Sequence, residues 1–465
     1  MILRNTSLIR LACASVHRTS ILSFSIRGFS SSISRMASDV PGSAPAPAPA
    51  GDPAYKPRYI DIGINLADPI FRGRYHGHQR HPDDLSAVIS RAQEVGCEKM
   101  IITGSDFPSS RHALEIAKEY PGIVYTTAGI HPCSSSIFSA THPFRDGDDH
   151  TTSHTPPCPA PAPDQTPDQT PDTDPTEPTP DAARTTLILH TLQTLITTAR
   201  ATHPNALVAF GEFGLDYERL HYCPRPLQLH SFTSQLRLAS TLSPPLPLFL
   251  HSRAAHADFV ACLQAAFGPK LENLKSGGVV HSFTGTSAEA AELVELGLYV
   301  GANGCSFKTP ENCEVVRGVR LGRLMLETDG PWCEVRPSHA GWRYLIEPRP
   351  SDPNPNPNPN PDSNAAGADA DGVTEANADG GRAARKKKKQ AELAAAQRKK
   401  AEEVPDRFPV VKKEKWVEGA MVKGRNEPCS IERVGRVVAG IKGVDVREVC
   451  EAAWRNTVEV FGLEE

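Results

Sequence analysis

Four side chains able to bind a metal ion follow short apolar runs that are typical of buried β-strands. They are Glu212, His251, His281 and Asp329, preceded by residues 208–211, 248–250, 279–280 and 324–328. One such residue alone is usually a cap or a hydrogen-bonded side chain, but four successive strand-like segments with the same ending favour a shared role. The carboxyl ends of the strands in a parallel barrel open at one mouth, so these side chains would meet there. Two imidazoles and two carboxylates are suitable ligands for a divalent cation, which lowers the pKa of bound water, and the pattern predicts metal-dependent hydrolysis.

Strand-like and helix-like segments alternate along the part of the chain that positions these residues. The predicted strands are 59–66, 99–103, 123–130, 207–211, 247–250, 278–280, 299–302 and 324–326. The predicted helices are 83–96, 113–120, 185–201, 228–242, 255–267 and 288–296, with closing helices at 431–439 and 446–461. Eight strand–helix steps joined by right-handed crossovers favour a closed (β/α)8 TIM barrel of the α/β class over an open sheet.

The amino-terminal segment has the composition of a targeting sequence. Residues 1–38 contain five arginines and many serines but neither Asp nor Glu. This pattern is typical of a mitochondrial presequence, which we assign to residues 1–36. We therefore expect a mitochondrial protein, or a cytoplasmic or nuclear one if translation starts at Met36.

Two low-complexity insertions are expected to interrupt the catalytic domain. Residues 37–57 are predicted to be a flexible linker, and the barrel domain would occupy 58–465. Within it, 141–182 is rich in Pro, Thr and Asp, and 350–404 contains an Asn-Pro repeat followed by the basic run 385–389. Such compositions cannot bury enough apolar surface to fold, so both insertions are expected to be disordered.

Composition also narrows the partners of the protein. No apolar run reaches the length of a membrane-spanning helix, so no membrane partner is expected, and no obligate protein partner is evident. The net charge of -4 gives no overall attraction to nucleic acid, so a polyanion would need a local basic cluster or the metal itself. The eleven cysteines include no Cys-x-x-Cys pair and are expected to be reduced and mostly buried.

Several short blocks occur in an order and spacing that carry information about the family of the protein. They are DIGINL at 61–66, GEFGLDY at 211–217, HSR at 251–253, HSFTG at 281–285, ETDGPW at 327–332 and RNEP at 425–428. Together they resemble the TatD family of metal-dependent deoxyribonucleases, in particular its eukaryotic members. The resemblance implies an amidohydrolase-type barrel in which Glu212, His251, His281 and Asp329 bind metal. It also implies that His131, in the block GIHP at 129–132, is a further ligand or a phosphate contact. Asp329 and Glu212 would be the catalytic groups, with Asp329 orienting or deprotonating the attacking water.

Three other residues are candidates for binding the substrate. Arg253 could form a bidentate contact with the scissile phosphate, or it could form an ordinary ion pair. Trp332 could stack on a nucleobase, or it could pack its own loop. Many relatives carry His-x-His at the end of the first strand, where this sequence has Gly63 and Asn65; Asn65 offers an amide oxygen. Asp61 is either a ligand or an anchoring hydrogen-bond acceptor.

The leading functional hypothesis is a divalent-metal-dependent deoxyribonuclease that acts as a 3'-5' exonuclease on single-stranded or frayed DNA ends. One or two ions are expected, Mg²⁺ first and Mn²⁺ or Zn²⁺ as alternatives, and RNA is a second possible substrate. A different enzyme class remains open, since an amidohydrolase acting on a small-molecule amide or ester uses the same barrel and ligands. The third hypothesis is a scaffold protein without catalytic activity, and the four intact ligand positions argue against it.

Overall fold

Eight parallel strands in chain order make up the central sheet of the protein, seen in a computed structural model that describes residues 55–142, 178–346 and 404–464. The strands are β1 Tyr59–Ile64, β2 Cys97–Ile102, β3 Val124–Ala128, β4 Leu207–Asp216, β5 Leu248–Arg253, β6 Gly278–Val280, β7 Tyr299–Ala302 and β8 Leu324–Leu326. Each strand pairs in parallel with the next one along the chain. All of their residues are buried except the last two of β5 and two within β2, as expected for strands covered by helices on one side and packed together on the other.

Backbone hydrogen bonds close the sheet where its first and last strands meet. The Asp329 N–H donates to the Gly63 carbonyl over 2.7 Å, and the Asn65 N–H donates to the Gly330 carbonyl over 2.9 Å. The segment after β8 therefore continues along the end of β1. This closure confirms the predicted TIM barrel.

Helices follow the strands and cover the outside of the barrel. They are α1 Leu85–Glu94, α2 Phe107–Glu119, α3 Ala182–Thr202, α4 Arg225–Thr241, α5 His256–Phe267, α6 Ser287–Glu295, α7 Pro310–Gly318, α8 Ile431–Lys442 and α9 Val446–Phe461. Helix α2 begins six residues earlier than predicted, because Asp106 and Ser109 form a reciprocal capping box at its start. Helix α7 was not predicted at all, although Thr309 caps it in the same way.

Two layers of apolar side chains fill the fold. A large cluster lies between the strands and the surrounding helices, and a smaller one fills the barrel itself. Ile62, Phe249 and Met325 belong to the smaller cluster, and Phe461 and Leu463 from the end of the chain pack against them. The closing role predicted for the last helix is therefore confirmed.

The fourth strand differs from its predicted form. We expected it to end at Gly211, with Glu212 at the tip, but β4 continues to Asp216 and stays paired with β5. Gly211 pairs with Phe249 and Phe213 pairs with Leu250, so Glu212 is the extra residue of a β-bulge. A bulge locally changes the direction of side chains, which explains how a residue inside a strand can belong to the mouth of the barrel.

Most of the predicted disordered regions lie outside the described residues. This holds for the presequence, for 37–54 of the predicted linker, for 143–177 of the first insertion and for 350–403 of the second. The end of the first insertion is part of the barrel, since Pro180 forms a β-bridge with Ser139 and Asp181 caps α3. Among the described helices, none has both the length and the apolar composition required to cross a lipid bilayer.

Candidate active site

One carboxylate oxygen, Glu212 Oε1, is the point on which three histidines converge. It lies 2.6 Å from His281 Nε2, 3.1 Å from His251 Nδ1 and 3.4 Å from His131 Nε2. All four side chains are buried. Burial alone would raise the pKa of Glu212, but the imidazoles of His281, His131 and His251 hold it well below its usual value. The mouth therefore contains an ionised carboxylate surrounded by ring nitrogens.

The outer ring nitrogens of two of these histidines face other carboxylates. His251 Nε2 lies 3.3 Å from Asp216 Oδ2, and His281 Nδ1 lies 3.4 Å from Glu327 Oε2. A carboxylate near the outer nitrogen orients the ring and favours a lone pair on the inner nitrogen of its neutral form, as is usual for metal-ligating histidines. Burial would lower the pKa of His281, but the carboxylates of Glu212 and Glu327 hold it well above its usual value, so a proton or a cation is favoured between His281 and Glu212. Both His251 and His281 are thus arranged as ligands.

His131 has the opposite arrangement. The backbone N–H of Cys133 donates to His131 Nδ1 over 3.1 Å. Burial lowers the pKa of His131 to about 3, so the ring is neutral and its proton is on Nε2, the nitrogen that faces Glu212. The Nε2 distances would suit coordination, since ligand atoms of His131, Glu212 and His251 all lie within 4.8 Å of one another. This tautomer favours a hydrogen-bond donor at Nε2, because a nitrogen that carries a proton does not bind a cation.

The inner atoms of the cluster fit a divalent cation. With their protons on the outer nitrogens, His251 Nδ1 and His281 Nε2 face each other at 3.3 Å and both face Glu212 Oε1. Lone pairs held this close repel one another unless a proton or a cation lies among them. Two imidazole nitrogens and carboxylate oxygen are common donors for Zn²⁺ and are compatible with Mn²⁺.

Asp329 lies at the same mouth, three residues beyond β8. Its Oδ2 accepts hydrogen bonds from Ser282 Oγ and Cys333 Sγ, each over 3.2 Å. Burial raises the pKa of Asp329, and the charges of His281 and Glu212 also act on it. Asp329 is therefore a buried carboxyl group within electrostatic reach of the histidine cluster.

Asn65 holds Asp329 in place. Its side-chain Nδ2 donates to Asp329 Oδ1 over 3.2 Å and to the Gly330 carbonyl over 3.1 Å. Its amide oxygen accepts a hydrogen bond from the Thr103 hydroxyl. Because that oxygen already has a donor, the arrangement favours a positioning role for Asn65 over direct contact with a substrate or cation.

Asp61 is an anchoring acceptor. Its carboxylate accepts hydrogen bonds from the Thr328 N–H over 2.9 Å, from the Thr328 hydroxyl and from the Gly63 N–H over 3.3 Å. These bonds tie the end of β1 to the segment that carries Asp329. Of the two interpretations that the sequence left open, the contacts favour the anchor.

The two remaining substrate candidates lie near the mouth. Arg253 Nε is 3.9 Å from an oxygen of the exposed Glu218. Burial raises the pKa of Asp329, and the Arg253 charge partly opposes this shift. Trp332 is partly buried, and its backbone N–H donates to the Asp329 carbonyl over 3.1 Å. The Trp332 carbonyl accepts a hydrogen bond from Asn426 Nδ2 over 2.8 Å. Both residues are thus adjacent to Asp329 through charge or backbone contact.

The RNEP block is a structural clamp. Arg425 forms two hydrogen bonds with the Asp84 carboxylate, 2.9 and 2.6 Å long, and a third with Glu427 over 2.9 Å. Arg91 of α1 donates to the second oxygen of Glu427 over 2.8 Å. Asn426 meanwhile donates to the Thr328 carbonyl over 2.9 Å. The block therefore fastens α1 and the segment after β8 to the start of α8.

The sequence interpretation missed Asp216 and Glu327 as members of the site. Each belongs to one of the family-like blocks and lies within five residues of a candidate ligand, but nothing in its sequence context assigns it a role. The only available signal was the presence of a second acid near Glu212 and near Asp329. Which acid faces a metal and which faces a histidine depends on the bulge in β4 and on the turn after β8.

Comparisons with known proteins agree with this geometry. The profile of the TatD related DNase family matches residues 60–353. The chain is 36% identical to the deoxyribonuclease Tat-D of Schizosaccharomyces pombe, over 87% of this chain and 96% of that protein. It is 30% identical to the 3'-5' ssDNA/RNA exonuclease TatD of Erwinia tasmaniensis, over 58% of this chain and 79% of that protein.

A solved structure shares the fold. The crystal structure of an uncharacterized amidohydrolase from Saccharomyces cerevisiae superposes with a TM-score of 0.61 and 28% identity, covering 87% of this chain and all of that one. Profile, sequence identity and architecture all agree with the blocks found in the sequence. The chain belongs to the TatD related DNase family of hydrolases.

Proposed function

We propose that the protein is a divalent-metal-dependent deoxyribonuclease that removes nucleotides from the 3' end of single-stranded or frayed DNA. The observation that carries the proposal is the convergence of His251 Nδ1 and His281 Nε2 on Glu212 Oε1, with a carboxylate behind each ring. Such an arrangement has little value in a structural core, because it buries charge at close range. It has a clear use in binding a cation.

Glu212, His251, His281 and Asp329 are the groups that would hold the metal. A divalent cation bound there supplies positive charge for the phosphate and acidifies a water molecule. Mg²⁺ is our first choice for the native ion because the substrate contributes phosphate oxygens. Mn²⁺ or Zn²⁺ suits the two imidazoles better and is the alternative. The number of ions, one or two, is a matter for direct measurement.

The surrounding residues supply the remaining steps. Asp329, whose pKa is raised by burial, is the acceptor for the proton of the attacking water, and Asn65 keeps its carboxylate in position. His131, with its proton on Nε2, donates a hydrogen bond to a phosphate oxygen or to the water. The alternative role that we expect for it is coordination of the metal through the same nitrogen. Arg253 adds charge at the phosphate, and the Trp332 ring offers a surface on which the terminal base stacks.

The preference for ends rests on shape and on the relatives. A site at the bottom of a barrel mouth admits the end of one strand more readily than an intact duplex. The name of the Erwinia tasmaniensis relative, a 3'-5' ssDNA/RNA exonuclease, points to the same polarity and adds RNA as a second substrate to be tested.

The decisive experiment measures cleavage and metal together. Wild-type protein with Mg²⁺ or Mn²⁺ should shorten a 5'-labelled single strand one nucleotide at a time and leave closed circular DNA intact. Glu212→Gln should abolish this activity, whereas Glu115→Gln, an exposed position on α2, should not change it. Nicking of closed circles at the same rate would overturn the end preference. Hydrolysis of small amides or esters without loss of phosphodiester would instead favour the amidohydrolase alternative.

The metal assignment has its own measurement. His251→Ala should contain less metal than wild type after dialysis, as determined by mass spectrometry. Equal metal content in the two proteins would reject His251 as a ligand, whatever the nuclease assay gives.

We also propose mitochondrial import, although the segment concerned lies outside the described residues. The support is the acid-free, arginine-containing composition of the first 38 residues. A fluorescent fusion lacking residues 1–35 should remain outside mitochondria. Unchanged import of that fusion would exclude the presequence.

A further inference from the structure

The loop between β1 and α1 forms a basic hairpin on the mouth side of the barrel. Residues Arg74–Tyr75 pair antiparallel with His78–Gln79. Tyr75 is buried, whereas Arg74, His78 and Arg80 are exposed. The hairpin lies at the carboxyl end of β1, where loops of a TIM barrel surround the active site.

A second basic segment packs against this hairpin. Val410–Val411 pairs with Met421–Val422, and the connection between them carries Lys412, Lys413 and Lys415. Lys413 Nζ lies 4.9 Å from the centre of the Tyr75 ring. The Trp416 ring also stacks on His81, with centroids 5.3 Å apart and planes 16° apart. The two segments therefore form one continuous surface.

We call this surface the cationic rim. Its members are the exposed or partly exposed cations Arg74, Arg80, Lys412, Lys413, Lys415 and Lys423. None of the six forms an ion pair with any residue in the described ranges, and Lys413 contacts the Tyr75 ring instead.

Few acids balance this charge. Glu414 lines the same cavity, of about 280 Å³, as Lys412, Lys413 and Lys423, and Glu418 is nearby in the chain. Since the whole chain has a net charge of -4, the excess of cations is a local property of this surface. Unpaired, solvated cations gathered on one surface attract a polyanion.

The rim is adjacent to the candidate active site. The cavity lined by the three rim lysines is also lined by Ile70 and Arg425. Ile70 lies five residues after Asn65, whose side chain holds Asp329 in place. Asn426, next to Arg425, donates to the carbonyl of Trp332. A strand whose end occupies the mouth would therefore pass close to the rim as it leaves the protein.

We propose that the cationic rim binds the sugar–phosphate backbone of the DNA strand whose 3' end is in the active site. The inference rests on the proposed function and adds a second contact region to it. Lysine and arginine contacts to phosphate carry no base preference, so the rim would increase affinity for long strands irrespective of their sequence.

The test neutralises three unpaired rim cations together, as Arg74→Gln, Lys412→Gln and Lys423→Gln. A matched control neutralises three exposed cations at the opposite end of the barrel, which are Lys270 and Lys275 in the loop between α5 and β6 and Arg320 in the loop between α7 and β8. Binding of a fluorescent oligothymidylate of about 20 nucleotides is measured in EDTA against salt concentration. Each phosphate contact contributes a slope of about 0.7 on a log–log plot, so the rim variant should lose about two units of slope and bind at least tenfold more weakly near 0.1 M salt. The control should behave like wild type.

Hydrolysis then separates this inference from the proposed function. In the presence of metal, the rim variant should lose kcat/KM on the long strand but cleave a dinucleotide as well as wild type does. Equal loss on both substrates, an unchanged salt slope, or an equal loss in the control would overturn the inference. Absence of any hydrolysis by wild type would instead overturn the proposed function, and the binding measurement would still decide whether the rim holds DNA.

Discussion

The carboxylate of Glu327 occupies a space that two glycines, Gly63 and Gly301, leave free. Its Oε1 accepts hydrogen bonds from the Ser282 N–H and from Asn303 Nδ2, and its Oε2 faces His281. A Cβ atom at Gly63 would lie 2.5 Å from Oε2. Glycine at this position of β1 is therefore required for Glu327 to reach His281.

The substitution Gly63→Ala should displace this carboxylate without straining the backbone, because Gly63 is not in the left-handed region. Restoring ordinary contact, near 3.4 Å, moves Oε2 by about 0.9 Å. His281 would then lose the partner that fixes its ring and its proton. Loss of such an outer partner typically costs about 10 to 100-fold in metal affinity or activity, and the added methyl group should cost about 1 to 3 kcal/mol of stability.

Two measurements with suitable controls test this reasoning. Titration calorimetry with Mn²⁺ gives the metal affinity, and urea unfolding gives the stability separately. Gly322→Ala is the matched control, because a Cβ at that position meets no atom within 4 Å. Glu327→Gln, which keeps the shape and removes the charge, should weaken metal binding to a similar extent.

The double variant Gly63→Ala/Glu327→Gln shows whether both substitutions weaken metal binding through the Glu327 carboxylate or by separate causes. If Gly63→Ala acts through Glu327, the combined loss of affinity should be close to the larger single loss, because contacting residues are not additive. A fold-loss of metal affinity in the double variant equal to the product of the two single losses would refute the link between Gly63 and the site. So would a Gly63→Ala protein that is destabilised but binds metal like wild type.

Other contacts in the described residues predict three further results. Glu212→Gln should retain little metal after dialysis, measured by mass spectrometry, because the neutral amide removes the charge on which the imidazoles converge; wild-type metal content would contradict this. Arg425→Met should lower the free energy of unfolding in urea by about 3 to 5 kcal/mol, because it removes both Arg425 hydrogen bonds of the buried Asp84 carboxylate and leaves it only the more distant Arg91, at 3.7 Å, and His81, at 3.9 Å. Arg72→Met, which removes a partly exposed pair, should cost less than about 1 kcal/mol, and equal losses would refute the contrast. Burial lowers the pKa of His131 to about 3 from 6.5, so between these values the unfolded chain binds a proton that the folded one does not. Acidification below pH 6.5 should thus destabilise wild type relative to His131→Gln, by up to about 1.4 kcal/mol per pH unit, and parallel pH profiles would contradict this.

The barrel could be predicted from the sequence because its strands are buried on both faces. The predicted bounds of Gly278–Val280, Tyr299–Ala302 and Leu324–Leu326 agree with the structure residue by residue. Parallel strands of this kind appear as uninterrupted apolar runs between polar segments. The order of the elements then fixes the topology, since right-handed crossovers leave few alternatives.

Elements without such runs were harder to predict. Helix α7 is short and carries Asn312, Glu314 and Arg317, so its apolar stripe is narrow. The extension of β4 beyond Gly211 includes Gly214 and Asp216, which are unfavourable in strands. Tertiary contacts keep this segment extended, since it pairs with β5 and the Gln228 side chain of α4 bonds both the N–H and the carbonyl of Asp216.

The position of the site could be predicted for the same reason as the barrel, but the division of labour within it could not. Spacing identifies which residue types follow the strands, and it leaves all the histidines equivalent. Contacts on the outer nitrogens separate them: His251 and His281 each face a carboxylate, whereas His131 accepts the backbone N–H of Cys133. That N–H cannot be moved by substituting a side chain, so His131 remains a donor towards the site as long as its loop keeps this conformation. The two carboxylate partners, in contrast, come from the extension of β4 beyond its bulge and from the turn after β8, so these two features of the backbone decide which nitrogen of each ligand carries the proton.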